Sequence, residues 1–172
     1  MTRVQTSDRK AELRQRQVLV RMLTGGRAHA ELAETLARFP KSLCAAQPRG
    51  APYTPWELLE HLRLAQEDIL RFSLDPEHES PPWPSGYWPS SSAPPDVRAW
   101  EKSVKAFLRD LRALTALAKD ARRDLLAPIP GTSTTLFGQL ALAASHNSYH
   151  LGQLVLLRRM LAARGRKRNQ AG

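Results

Sequence analysis

His146 and His150 stand four residues apart in a proline-free run, 136–161, that reads LFGQLALAASHNSYHLGQLVLLRRML. At about 100° per residue on a helix they lie roughly 40° apart and project from one face. Gln139, Ala143, Gln153 and Leu157 fall on the same stripe, each within about 60° of His146. Such a stripe is where a bundle helix meets its partners, so two imidazoles point together toward an interior. Each brings ring nitrogens that need partners once buried. A divalent metal ion meets that need, because two neutral rings can each aim a lone pair at one point about 2.0–2.1 Å away. A pair of hydrogen-bonded core histidines is the plainer reading, and a third ligand is what separates the two.

His61 supplies the candidate. It sits in PWELLEHLRLAQEDILRFS, 55–73, where Leu58, Leu62, Ala65, Ile69 and Phe72 recur at spacings of 4, 3, 4 and 3. His61 lies on the flank of that inward stripe, about 40° from Ala65. Asp68, seven residues on, shares its face to within about 20°. Asp68 and Glu57 are candidate acceptors for the far nitrogen of a ligand ring, with plain solvated carboxylates as the simpler role. Three neutral imidazoles would leave a divalent ion its full charge and an open position, whereas a structural zinc site is normally closed by four ligands. An open position suits a water, a thiolate or a carboxylate.

Helices must carry these residues. Thr134 or Thr135 can cap the 136–161 helix, and Gly165 is a stop signal after it. Thr54-Pro55-Trp56-Glu57 has the form of a capping box with proline at the first helical position. A helix over 8–23 carries a thin stripe of Leu13, Val20 and Leu23. Gly25 and Gly26 break it, and a second piece, 27–39, ends at Pro40 with His29 near its start. Asp96 is a candidate cap for a helix whose apolar positions run from Val97 and Trp100 through Phe107 to Ala118. Between them, 74–95 holds seven of the thirteen prolines together with Trp83, Tyr87 and Trp88. A merely disordered linker would be poor in aromatics, so this stretch reads as a crossover that also roofs a pocket. His78, in its acidic part, reads as a bystander. The inventory is all-α: a four-helix bundle with long connections.

The chain has 172 residues and a net charge of +10, but the excess is terminal. Residues 1–21 carry +4 and residues 151–172 carry +6, while 22–150 is balanced at fourteen basic and fourteen acidic residues. Basic ends complement the negative end of a long helix and attract polyanions weakly. No nucleic-acid recognition module accompanies them, so specific nucleic-acid binding is not expected. The single cysteine, Cys44, allows no internal disulfide and suits a reducing cytoplasm. No apolar run approaches the roughly 20 residues of a membrane span, and 1–17 has no signal core. The expected organisation is a basic N-terminal helical extension over 1–24, a bundle domain over 25–163 and a basic flexible tail over 164–172.

On GGRAH (25–29), PWELLEHLRLAQEDILRFS (55–73), WPSGYWP (83–89) and SHNSYHLGQLVLLRRML (145–161), the chain resembles the DinB-like metal-binding four-helix bundles, related to YfiT-type hydrolases and thiol-dependent transferases. The resemblance spans about 25–161. It implies His61, His146 and His150 as metal ligands, an up-down-down-up helix order with the long Pro/Trp-rich loop between the second and third bundle helices, and a homodimer. Imidazole suits zinc, nickel, iron and copper alike, with zinc, nickel or iron the expected ion, and the resemblance implies a water or a low-molecular-weight thiol as what the ion activates. His29 becomes a candidate fourth ligand or pocket acid/base, with a helix-start histidine bonded to backbone as the alternative. Asn147, Tyr149 and Gln153 belong to the motif through packing, ligand orientation or substrate contact. The function expected is thus a metal-dependent thiol S-transferase or hydrolase acting on a small molecule, with a non-catalytic metal- or ligand-binding stress-response protein as the alternative.

Overall fold

The computed structural model describes residues 3–26 and 28–170, with side chains described for 9–26 and 28–163. Among these residues there are five α-helices and no strand: α1 (Arg3–Thr24), α2 (Leu32–Ala37), α3 (Pro55–Leu74), α4 (Ala99–Lys119) and α5 (Leu136–Gln170). One isolated antiparallel bridge, Pro128 to Thr135, pins the turn before α5. The four long helices pack around a single core in which α3 touches α4 and α5, and α1 touches the same two from the other side. Phe107, Leu59, Leu62, Leu114, Leu140 and Leu154 are fully buried at its centre.

The helix starts are built largely as the sequence suggests. Thr54 accepts from the Glu57 N–H at 3.2 Å while Glu57 accepts from the Thr54 N–H at 2.7 Å, completing the capping box of α3. Glu57 is therefore committed to the cap and takes no part at His61. Thr135 caps α5 by accepting from Gly138 N–H at 3.1 Å. At α4 the start shifts. Asp96 accepts from Arg98 N–H at 2.7 Å, a local turn that delays the helix to Ala99 and leaves Val97 91% exposed instead of in the core.

Three further expectations are corrected. The helix expected over 27–39 is only six residues long, Leu32–Ala37, because Gly25 and Gly26 adopt φ of +75° and +85° and residues 28–31 stay outside the helix. Its place in the bundle is taken by α1, which was expected to be an extension outside it. Leu19 and Leu23 of α1 are fully buried, a burial that stabilises by about 2 kcal/mol per side chain. Finally, α5 does not stop at Gly165 but continues to Gln170; the side chains of the basic tail lie outside the described residues.

Arg16 shows how firmly α1 is tied in. It is 3% exposed, and its guanidinium donates to the carbonyl oxygens of Ala118 (3.2 Å), Asp120 (2.9 Å) and Arg123, groups at and just beyond the end of α4. Glu12, one turn earlier, holds the same guanidinium at 2.6 Å. Orphan carbonyls at a helix C-terminus need donors, and a cation there also opposes the helix dipole. A second buried link crosses the core, where Asn147 of α5 donates to Gln66 of α3 (2.8 Å) and Gln66 donates to the Phe107 carbonyl of α4 (2.6 Å). Arg16→Ala should lower the unfolding free energy by about 2–3 kcal/mol in urea titration, the scale of lost charged hydrogen bonds to buried carbonyls. The exposed neighbour Arg14→Ala should change it by less than about 0.5 kcal/mol. Equal, small effects would mean that α1 is not part of the cooperative unit.

Candidate metal centre

The three imidazoles expected to meet do meet. His61 from α3 and His146 and His150 from α5 each offer a ring nitrogen, and these atoms lie within 4.8 Å of one another. Their ring centroids are 4.6–4.9 Å apart in edge-to-face arrangements. His61 and His150 are 3% and 7% exposed, and His146 is half-buried. The group contains three imidazoles and no carboxylate or thiolate among the described residues.

Hydrogen bonding assigns two of the tautomers. His61 Nδ1 lies 2.8 Å from the Tyr87 carbonyl oxygen, and His150 Nδ1 lies 2.7 Å from Gln153 Oε1. Both oxygens can only accept, so both Nδ1 atoms carry the proton and both Nε2 atoms present lone pairs. His146 Nε2 sits 3.0 Å from His61 Nε2, while His146 Nδ1 is buried with no partner. A proton on His146 Nε2 can serve His61 but leaves the other nitrogen bare.

These residues fit a divalent ion. The donors are borderline-soft neutral nitrogens, the type that zinc, nickel and iron accept. Two ligands about 2.05 Å from a tetrahedral ion lie about 3.3 Å apart, close to the separation already present between His61 and His146. The oxygens on the far nitrogens of His61 and His150 are the partners that fix a ligating histidine's orientation.

His61 is braced further. Trp88 stacks on its ring with centroids 4.1 Å apart and planes 4° from parallel, and Tyr53 stacks on the other side of Trp88 at 4.3 Å. Two of the three aromatics of the Pro-rich connection therefore reach the site, Trp88 through a ring face and Tyr87 through a backbone carbonyl, while Trp83 is 76% exposed. Sequence reading marked this loop as a roof by its aromatic content, but a contact made by a main-chain oxygen leaves no side-chain signature. Gln153 was in the motif, and its role is now specific: it holds His150. Tyr149 is exposed, with its ring centroid 4.9 Å from that of His150 and the planes 82° apart.

Other expected residues lie elsewhere. His29 is exposed and does not join the cluster. It donates from Nδ1 to the Ala30 carbonyl at 2.9 Å, and its Nε2 is 3.0 Å from Ser148 Oγ, a residue on a different face of α5 from His146 and His150. The physical reason is the short α2, which leaves His29 in the turn beside Gly25 instead of on an inward helix face. Asp68 does not touch His61; it accepts from His78 Nε2 at 2.7 Å and from the Tyr87 hydroxyl at 2.8 Å. His78 is thus a tether of the connection and not a bystander. Burial pushes the Cys44 thiol up to about 11, so it is an inert core side chain.

Burial, then the neighbouring His150 and His61, depress His146 from its ordinary 6.5 to about 4; burial also lowers His61 and His150. All three rings are therefore neutral at pH 7 and ready as ligands. The sign for stability follows. Above pH 6.5 neither folded nor unfolded His146 holds a proton. Between 6.5 and about 4 the unfolded chain takes one that the folded chain resists, so stability falls as pH falls. The urea midpoint of metal-free protein should drop between pH 7.5 and 5, and His146→Gln should flatten that slope. A wild-type slope no steeper than the variant's would contradict the buried, neutral imidazole.

Comparison with protein families places residues 26–154, three-quarters of the chain, on the model described as DinB superfamily. Comparisons with curated proteins and with solved structures returned no match. The matched span begins at Gly26, three residues before His29, and runs through all three clustered histidines to the residue after Gln153. The chain belongs to the DinB superfamily.

Proposed function

We propose that the protein is a divalent-metal-dependent enzyme, of the thiol S-transferase or hydrolase type, whose centre is held by His61, His146 and His150. The observation that carries this reading is the convergence of one ring nitrogen from each of three imidazoles within 4.8 Å, with the protons of His61 and His150 drawn to their far nitrogens. A zinc, nickel or iron ion held there supplies Lewis acidity that favours the anionic form of a water or a low-molecular-weight thiol. The chain's own residues do the rest. Tyr87 and Gln153 hold the two ligand rings in one tautomer, and Trp88 and Tyr53 cover His61 against bulk water. A cleft of about 270 Å³ lined by Tyr53, Leu58, Gln153, Leu156, Leu157 and Met160 adjoins them and offers an apolar seat for a small substrate. His29, bordering a separate cleft of about 390 Å³, has no part in this reading.

The non-catalytic alternative, a metal- or small-ligand-binding protein of stress responses, is favoured by one observation: among the described residues no carboxylate joins the histidine group as a second acid or base. The bundle order we infer is up-down-down-up over α1, α3, α4 and α5, with 75–98 as the crossover between the parallel middle pair. Its supports are Arg16 against the end of α4, Leu58 beside Leu157 while His61 meets His146, and Lys41 and Phe39, from the segment leading into α3, beside Glu101 and Trp100 at the start of α4. We infer a homodimer through the exposed face of α5, where Leu142, Ser145, Tyr149, Gly152 and Leu156 repeat at heptad spacing without a charge. No helix among the described residues is long and apolar enough to cross a membrane, and a reducing cytoplasm suits the lone buried Cys44. The basic ends take no part in this reading, and we assign them no nucleic-acid partner.

Protein purified without a nickel column should contain about one divalent ion per chain, lost in His150→Ala and His61→Ala. The loaded protein should accelerate thiol transfer to a small apolar electrophile, or hydrolysis of one, and lose that activity with the ion. Metal retained in both variants would contradict the site; one ion with no turnover across thiol and hydrolysis panels would favour the binding protein.

A further inference from the structure

Resting on that reading of the histidine centre, the structure points to Asp68 and Tyr87 as positioning residues that fix the tautomer and place of His61 without touching the metal. Tyr87 is tied to α3 at both of its ends. Its carbonyl oxygen accepts from His61 Nδ1–H at 2.8 Å, and its hydroxyl donates to Asp68 Oδ2 at 2.8 Å. His61 and Asp68 are seven residues apart on one face, about 10.5 Å along the helix axis. A single tyrosine thus lies along two turns of α3 like a bracket. The other carboxylate oxygen of Asp68 accepts from His78 Nε2 at 2.7 Å, so the start of the same connection is fastened to the same residue.

The consequence for His61 is chemical. Free neutral histidine exchanges its proton between both nitrogens, and only the form protonated at Nδ1 presents Nε2 to the cluster. In this fold that choice is made by a main-chain oxygen, and a main-chain oxygen on a long loop is only as well placed as the loop. The nearest side-chain anchor of Tyr87 is its bond to Asp68, whose side chain is 13% exposed and whose charge-assisted hydrogen bonds are the stronger kind. Burial, followed by the bond to Asp68, raises Tyr87 above the ordinary phenol range, which keeps the hydroxyl proton available to donate. Trp88, the next residue, lays its ring on His61 from the same anchor. Loss of the phenol–carboxylate bond therefore releases the carbonyl, the stacked indole and the tautomer together.

The test separates this role from the metal reading. Long-range nitrogen-15 NMR on metal-free protein at pH 8 reads the tautomer of each histidine directly. Wild type should show His61 wholly as the Nδ1–H form. Tyr87→Phe, which keeps the ring and the backbone, and Asp68→Ala should shift His61 toward the Nε2–H form preferred by free histidine, while His150, held by Gln153, stays unchanged. Zinc titration against a chromophoric chelator should then show affinity weakened about tenfold to a hundredfold in both variants, the usual cost of losing an outer support. Tyr87→Phe keeps the apolar contacts, so a folding defect confined to Asp68→Ala leaves the test intact. His61 remaining wholly Nδ1–H in Tyr87→Phe would overturn the proposal whatever zinc does. Failure of wild type to bind zinc would overturn the metal reading and the expected loss of affinity with it, while the tautomer result alone would still decide the bracket.

Discussion

Two ring protons, on His61 Nδ1 and His150 Nδ1, decide what the middle of this bundle can do. Each is drawn outward by an oxygen that only accepts, the Tyr87 carbonyl and the Gln153 amide, and each leaves a lone pair facing inward. Were either proton on the inner nitrogen, that ring would present a donor where a cation needs a lone pair. With both outside, the Nε2 lone pairs of His61 and His150 face inward beside the His146 ring. On the third ring His146 Nδ1 is buried without a partner, as is the side-chain oxygen of Asn147, the next residue. Polar groups are rarely left so in a core, and where they are, the reason is commonly functional.

The remainder of the structure keeps this arrangement rigid and dry. Asn147, wedged between the two histidines of α5 in sequence, reaches Gln66 and through it the backbone of α4, so three helices are locked at the level of the site. Arg16 closes the end of α4 from α1, and the capping box fixes where α3 begins and hence where His61 points. The Pro-rich connection adds an aromatic stack, Tyr53–Trp88–His61, on the outer side. Desolvation by these elements also explains why His146 stays neutral well below the usual histidine range and why His61 and His150 are lowered with it.

Much of this was legible in the sequence because it obeys local rules. The i, i+4 pair, the Thr54–Glu57 box, the 4-3 stripe carrying His61 and the aromatic content of 74–95 all depend on spacing along one element. What escaped depends on tertiary closure. The thin stripe read over 8–23 held Leu23 but also Leu13, which is 53% exposed, and missed Leu19 and Arg16, which are buried. His29 resembled a ligand by residue type, yet two left-handed glycines hold it in a turn bonded to its neighbour's carbonyl. Asp68 lay on the same face as His61, but its reach falls on Tyr87 and His78, and the hydrogen bond to His61 comes from a backbone atom that no residue pattern encodes.

X-ray absorption at the zinc edge, on protein reconstituted with one equivalent of zinc, measures the coordination shell itself. Three imidazole nitrogens at about 2.0–2.1 Å, with the multiple-scattering signature of rings and no sulfur, are the predicted result. One or two imidazoles, or a shell containing the Cys44 sulfur, would contradict a centre built from His61, His146 and His150.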